Sequence, residues 1–284
     1  MHGFDQLWIW DDPDVAGGLG WYRDVARGAK PAKFRIARSI AAETPPDADE
    51  EDLWREIDRL TPVFEDRRRA LGGEGDAAAP AEGPNLLGLV RELAHRMLSH
   101  CNFCRWDCRV DRTQGAKRGT CKLDAGTRVS TFFHHLGEEI VYRGRLGSGT
   151  IFFTSCNMRC AFCQNGDIST DKDNGMAVDA GTLAAMAWIL GREGCHNINW
   201  VGGDPTIHLH AIVDAVSILG EPDYRPAEAA LAAALRVKAD GHFDFPGVAA
   251  GDGPFNTPML WNSNFIMSAE TMKILRLLMD VWLP

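Results

Sequence analysis

Apolar and polar positions change their period partway along the chain, and from residue 149 onward the pattern is that of alternating strands and helices. Residues 150–154 (TIFFT) are a short apolar, aromatic and β-branched run, which predicts a buried strand. Over residues 181–193, Leu183, Met186, Ile189 and Leu190 fall on one face, the spacing of an amphipathic helix. Residues 197–201 (NINWV) read as a second strand closed by Gly202 and Gly203, and a helix runs from near Thr206 to Leu219. A third strand at 259–261 leads into Asn262, Ser263 and Asn264; a helix over 269–279 and a fourth strand at 281–283 follow. Strands alternating with helices imply right-handed crossovers and a parallel sheet. The expected class is α/β, an open sheet or partial (β/α) barrel, because a closed barrel needs eight units.

The first half is less regular. It predicts one helix over 51–71, a Gly/Pro/Ala linker over 72–84, and a helix over 85–99 that leads into cysteines. Three regions result: an extension with its linker (1–84), a helix plus four-cysteine segment (85–146), and the core (147–284). Residues 220–257 interrupt the core with an Ala-rich helix at 226–238 and a Gly/Pro/Asp-rich loop, read as a surface insertion rather than a lid.

Charge and composition narrow the function. A net charge of −9 without a Lys/Arg block excludes the basic footprint of a duplex nucleic-acid binder. The N-terminus lacks a basic segment followed by an apolar one, and no stretch approaches a membrane span. A cytoplasmic location without membrane or nucleic-acid partners is therefore expected. Seven of the eight cysteines sit in two tight groups, which reads as metal binding rather than a disulfide framework.

Directly after the first strand comes Cys156-x3-Cys160-x2-Cys163, with Phe162 before the last cysteine. Iron–sulfur clusters are held by thiolates, and three cysteines in eight residues can ligate three irons of a cubane, leaving the fourth for a chelating small molecule. A structural Zn²⁺ would want a fourth ligand. The nearest candidates, Cys195 and His196, precede the second strand and so lie on the opposite rim, a strand length of roughly 17–20 Å away.

The stretch over residues 147–169 (GSGTIFFTSCNMRCAFCQNGDIS) resembles the radical S-adenosylmethionine (SAM) superfamily. In particular it is similar to the subgroup of pyruvate formate-lyase activating enzymes and to radical SAM proteins found with the Memo and AMMECR1 families. The resemblance covers roughly residues 100–284. It implies a [4Fe–4S] cluster on Cys156, Cys160 and Cys163 and reductive cleavage of SAM to a 5′-deoxyadenosyl radical that abstracts hydrogen from a substrate. A flavodoxin or ferredoxin as electron donor and a protein substrate are implied with it. The superfamily core has six strand–helix units, so the chain is expected to be truncated after the fourth strand.

Two further features fall on the rim of the cysteine loop, where ligands of α/β sheets collect. Gly202 and Gly203 let backbone approach a ligand, and Gly202-Gly203-Asp204-Pro205 resembles the superfamily's GGEP motif beside SAM's amino group. Asp204 also reads as a helix cap with Pro205 at the first position. Asn262 and Asn264, two apart on an extended segment, are expected to share a face and, by the resemblance, to lie near SAM's ribose; ordinary turn chemistry is the alternative. His208 and His210 read as ordinary helix residues.

Upstream, Cys101-x2-Cys104-x3-Cys108-x12-Cys121 is a complete four-thiolate set, suited to Zn²⁺ or a fully ligated auxiliary cluster. Arg105, Arg109, Arg112, Lys117 and Arg118 are expected to offset its charge, and Gly115 and Gly119 to permit its turns. Segment 134–139 (HHLGEE) could bind a metal or move protons, but reads more simply as a connecting strand. The competing functions are an iron–sulfur electron carrier or redox sensor on a degenerate core, and an interaction module in which all seven clustered cysteines hold zinc.

Overall fold

The computed structural model describes residues 8–71, 79–239 and 253–284. One six-stranded mixed sheet organises them, in the order β3 (Met176–Val178), β1 (Thr127–His135), β2 (Ser148–Phe153), β4 (Ile198–Gly202), β5 (Met259–Asn262) and β6 (Val281–Leu283). Its parallel part holds the four strands read from the sequence, β2, β4, β5 and β6. The sheet does not begin at β2. Two antiparallel strands, β1 and β3, extend it on that side. Of the segment read as a connecting strand, residues 134 and 135 do lie in a strand, as the end of the longer β1, while 136–139 leave it.

Each parallel strand exposes two different faces. Ile151, Phe153, Ile198, Trp200, Met259 and Trp261 point into the main core. There they meet α7 (Ala180–Arg192) and α8 (Leu209–Leu219), with α4 (Leu86–Ser99) packed on α8 and α9 (Glu228–Leu235) on α7. The helices begin where side chains satisfy the free N–H groups. Asn85 accepts from Gly88 N at 3.0 Å, Asp179 from Thr182 N at 2.7 Å, and Ser268 from Thr271 N at 3.1 Å to open α10 (Ala269–Arg276). The helix read from residue 206 begins as a 3-10 turn, Pro205–His208, before α8.

Among the described residues before 71 there are three α-helices, where the sequence predicts one: α1 (Pro13–Ala26), α2 (Lys33–Arg38) and α3 (Glu50–Ala70). Phe34, Leu53, Ile57 and Phe64 belong to the same continuous core as the sheet. On the other face of the sheet, Trp10 and Tyr22 join Tyr142 of α5 (Ile140–Arg143) against Leu260 and Val281. Asp280 fastens this arrangement, accepting from Trp21 Nε1 (3.1 Å), Lys33 N (3.0 Å) and Met259 N (2.9 Å). Burial raises its carboxyl above the usual range, and the three donors answer that cost. Of the linker expected over 72–84, residues 72–78 lie outside the described residues; so do residues 240–252 of the insertion. Among the described residues, no helix is long and apolar enough to cross a membrane.

Candidate functional site

The carboxyl ends of β2, β4 and β5 deliver three loops to one rim. After β2 the chain turns through Ser155 (φ +67°) and Arg159 (φ +55°), left-handed conformations that non-glycine residues seldom adopt. They curl the cysteine loop back on itself, with Cys163 N donating to Cys160 O at 3.1 Å. Cys156 is buried, while Cys160 and Cys163 are half-exposed. Donors point at the sulfurs: Met158 N reaches Cys156 Sγ at 3.2 Å, Asn264 Nδ2 the same sulfur at 3.8 Å, and Ser169 Oγ reaches Cys163 Sγ at 3.6 Å. Burial pushes the Cys156 thiol up from its ordinary value, with the nearby Asp204 carboxylate adding to the effect.

The four-cysteine segment is stitched to this loop, a relation the sequence did not reveal. Ser155 Oγ donates to Cys121 O at 2.6 Å, Trp106 Nε1 to Asn157 O at 2.8 Å, and Arg159 Nη2 to Thr120 O at 2.8 Å. Asn157, 1% exposed, accepts from Asn264 Nδ2 at 2.7 Å, and its side chain lies beside the Cys104 thiol. The other edge of the segment meets the β5 loop, where Arg105 N donates to Ile266 O at 3.1 Å and Ser268 N to Phe103 O at 3.1 Å. Asn157 therefore joins the cysteine loop, the upstream segment and the β5 loop. An amide set between Cys156 and Met158 was the only signal of it in the sequence. Asn157→Ala leaves the Trp106 bond to its carbonyl but removes both side-chain contacts, at an expected cost of about 1–3 kcal/mol. A urea melt checks this, with the variant midpoint expected below that of the wild type.

Of the five cations expected to offset thiolate charge, Arg112 stands inside the segment. It is 1% exposed, donates to Asp124 O (3.0 and 2.7 Å) and Ile207 O (2.9 Å), and lies 3.9 Å from Cys101 Sγ. Arg109 instead pairs with Asp107 at 2.6 Å and Arg118 with Asp124 at 3.4 Å. Both glycines sit where a side chain would not fit: an added Cβ would lie 2.3 Å from Asp111 O at Gly115 and 2.9 Å from Cys108 Sγ at Gly119.

Residues 150–245, from β2 through the cysteine loop and β4 into the segment beyond α9, match the family model of the radical SAM superfamily. An uncharacterized protein of Methanocaldococcus jannaschii is 32% identical over 277 residues, which cover 93% of this chain and 67% of that protein. The chain belongs to the radical SAM superfamily. No solved structure matches it significantly.

Radical SAM proteins generally bind a [4Fe–4S] cluster and SAM. The cysteine loop suits such a cluster in its donor chemistry, because N–H and O–H groups aimed at thiolates stabilise their charge. Among the described residues, no three His, Cys, Asp or Glu side chains converge closely enough to grip a single metal ion. A cubane spans several atoms and needs no such convergence. For a mononuclear Zn²⁺ at Cys101, Cys104, Cys108 and Cys121, the thiolates have to close in when the metal arrives. Cys195 and His196 stay on the opposite rim, where His196 Nε2 accepts from Arg145 N at 2.7 Å.

The remaining rim residues differ in how far they match expectation. Gly202 adopts φ +114°, and at both Gly202 and Gly203 a Cβ would strike backbone atoms of the β2 strand end and cysteine loop. Asp204 caps the following turn with Oδ1 on Thr206 N (2.9 Å), while Oδ2 takes Asn264 N (3.1 Å). Both oxygens are thus engaged by the protein, and burial raises the carboxyl. Asn262 and Asn264 do not share a face: β5 ends at Asn262, Ser263 bends the chain, and Asn264 turns toward Asn157.

His208 and His210 act as buried struts. His208 Nε2 meets Thr154 O at 3.0 Å and its ring stacks on Phe153 at 4.8 Å; His210 Nε2 meets Ala125 O at 2.8 Å. Burial pushes both imidazoles down to about 3, from an ordinary 6.5. The unfolded chain therefore takes up protons near pH 6.5 that the native chain refuses until about pH 3. Their stability contribution is complete above that window and is lost as pH falls through it. At pH 5 the two together cost on the order of 4 kcal/mol, offset in part by buried Asp204 and Asp280, which shift in the opposite sense. Urea unfolding at pH 7.5 and pH 5 checks this; equal midpoints contradict it.

Proposed function

We propose that this chain is a radical SAM iron–sulfur enzyme in which Cys156, Cys160 and Cys163 hold a [4Fe–4S] cluster. When bound and reduced, the cluster and SAM supply a 5′-deoxyadenosyl radical able to abstract hydrogen from a substrate. One observation carries the reading: the loops after β2, β4 and β5 meet at one rim, with hydrogen-bond donors turned onto the cysteine sulfurs.

The residues have separate tasks in this proposal. Backbone at Gly202 and Gly203 lies against SAM's methionine end, with Asn262 and Asn264 toward the ribose. Asp204 keeps the β4 and β5 loops together, because its two oxygens are committed to Thr206 N and Asn264 N. Met158 N and Ser169 Oγ stabilise thiolate charge, and the exposed Met158 and Phe162, 43% and 90% accessible, border the loop on its solvent side. Cys101, Cys104, Cys108 and Cys121 form a second metal centre, Zn²⁺ or an auxiliary cluster, that braces the loop through Cys121 O and Asn157. Electrons come from a flavodoxin- or ferredoxin-type donor. The similarity to glycyl-radical activating enzymes favours a protein substrate.

The test is turnover without substrate. Anaerobically reconstituted protein, given dithionite and SAM, is expected to release methionine and 5′-deoxyadenosine together, read by liquid chromatography and mass spectrometry. A fully loaded cluster that leaves SAM intact overturns the enzyme reading and favours an electron carrier.

A further inference from the structure

Residues 134–139 have no part in the site above, yet the fold gives Glu138 a defined setting. Strand register lines up Phe133, Thr150, Asn199, Leu260 and Val281 across the sheet. This row occupies the face opposite Ile151 and Trp200, which point at the helices. Its Leu260 and Val281 end lies under Trp10, Tyr22 and Tyr142. At Asn199 the packing changes from apolar to polar. Asn199 is fully buried and its Nδ2 donates to Glu138 Oε1 at 3.0 Å, while its Oδ1 has no partner. The amide cannot be turned to relieve this, since its oxygen would then face the carboxylate.

Glu138 is itself largely sheltered, its side chain 11% exposed. His135 Nδ1 approaches the same Oε1 at 3.2 Å but is not aligned as a hydrogen bond. Glu138 has no Lys or Arg partner among the described residues, and its Oε2 accepts from none of them. A buried acceptor without a donor costs about 1–3 kcal/mol, and a sheltered carboxylate without a counter-charge costs more. Two acceptor atoms, Asn199 Oδ1 and Glu138 Oε2, thus lie where no described residue donates to them, beside a carboxylate whose one basic neighbour among the described residues is His135. Asn199 lies three residues before Gly202 on β4, about 10 Å below the rim at the rise of a strand.

We infer that Glu138, aligned by Asn199, is the binding site for a cationic nitrogen group, a primary ammonium or guanidinium. That this group belongs to the enzyme's substrate rests on the proposed function; the binding itself does not. Glu138 is the residue that touches the ligand, and Asn199 is a positioning residue that fixes its carboxylate.

The test is isothermal titration of the purified, cluster-loaded protein with n-butylguanidinium and with N-butylurea, its uncharged counterpart. Saturable binding of the cation alone is expected. Glu138→Gln should weaken it at least tenfold, Glu138→Asp less, and Glu139→Gln, on the exposed neighbour, not at all. Melting curves of the Glu138 variants close to wild type establish that the loss is local. No saturable binding to the wild type, equal binding of the urea, or binding unchanged in Glu138→Gln overturns the site. The spectroscopic response of the cluster to SAM is read on the same samples. If SAM has no effect while the guanidinium still binds in this pattern, the site stands and the enzyme reading falls.

Discussion

Replacing Cys160 with alanine is expected to abolish the [4Fe–4S] absorbance of the Cys156, Cys160 and Cys163 site and reductive SAM cleavage in one step. A cubane held by three cysteines has no spare protein ligand, and Cys160 stands in the middle of the triad. Cys195 is buried on the opposite rim, and Cys121 presents its carbonyl, through Ser155, to the cysteine loop. The folded chain should survive, because Cys160 is half-exposed and contributes its carbonyl, which alanine keeps, to the turn with Cys163 N. Metal analysis adds a second reading. Iron remaining in Cys160→Ala belongs to the upstream cysteines as an auxiliary cluster, whereas zinc remaining assigns them to Zn²⁺. Retained cleavage in this variant contradicts the ligand assignment.

Gly203→Ala carries the second large effect, through backbone rather than chemistry. A Cβ at residue 203 would lie 1.7 Å from Ser155 O and 2.5 Å from Ser155 C. Those atoms belong to the start of the cysteine loop, and Gly203 N is bonded to Phe153 O at 2.8 Å, so neither segment can withdraw alone. The expected loss is at least about 3 kcal/mol of stability, at the severe end for single substitutions. A chain of this size should show it as a fall in melting temperature of roughly 6 °C or more, with less iron bound after reconstitution. Gly166→Ala is the contrast. Nothing lies within 4 Å of its added Cβ, and it opens the short helix Gly166–Thr170, so alanine there is expected to be neutral or stabilising by up to ~1 kcal/mol. Equal melting of Gly203→Ala and wild type would contradict the close approach of the β4 loop to the cysteine loop.

What the sequence disclosed and what it hid follow from how each element is stabilised. Strands β2, β4, β5 and β6 were readable because they are short, apolar runs, and α7 because its buried positions recur at helical spacing. Strand β1 was not, since its register shifts between Val129 and Thr131 and its burial alternates imperfectly. The helix α1 hid behind Gly17, Gly18 and Gly20, which lower helix propensity; tertiary contacts of Tyr22 and Trp21 hold it instead. Cys156, Cys160 and Cys163 could be singled out because their spacing is local. The roles of Asn157, Arg112 and Glu138 depend on partners 107, 95 and 61 positions away, which no local period records. The shared face expected of Asn262 and Asn264 failed for a related reason: it assumed that the strand continued, and the bend at Ser263 ends it.

The most direct test of the central assignment is electron paramagnetic resonance of the anaerobically reconstituted, dithionite-reduced protein, recorded with and without SAM. A [4Fe–4S]⁺ signal whose g-values shift when SAM is added is the predicted result, because the site proposed at Cys156, Cys160 and Cys163 leaves one iron without a protein ligand. A cluster signal identical in the two samples, or no iron–sulfur signal at all, contradicts it.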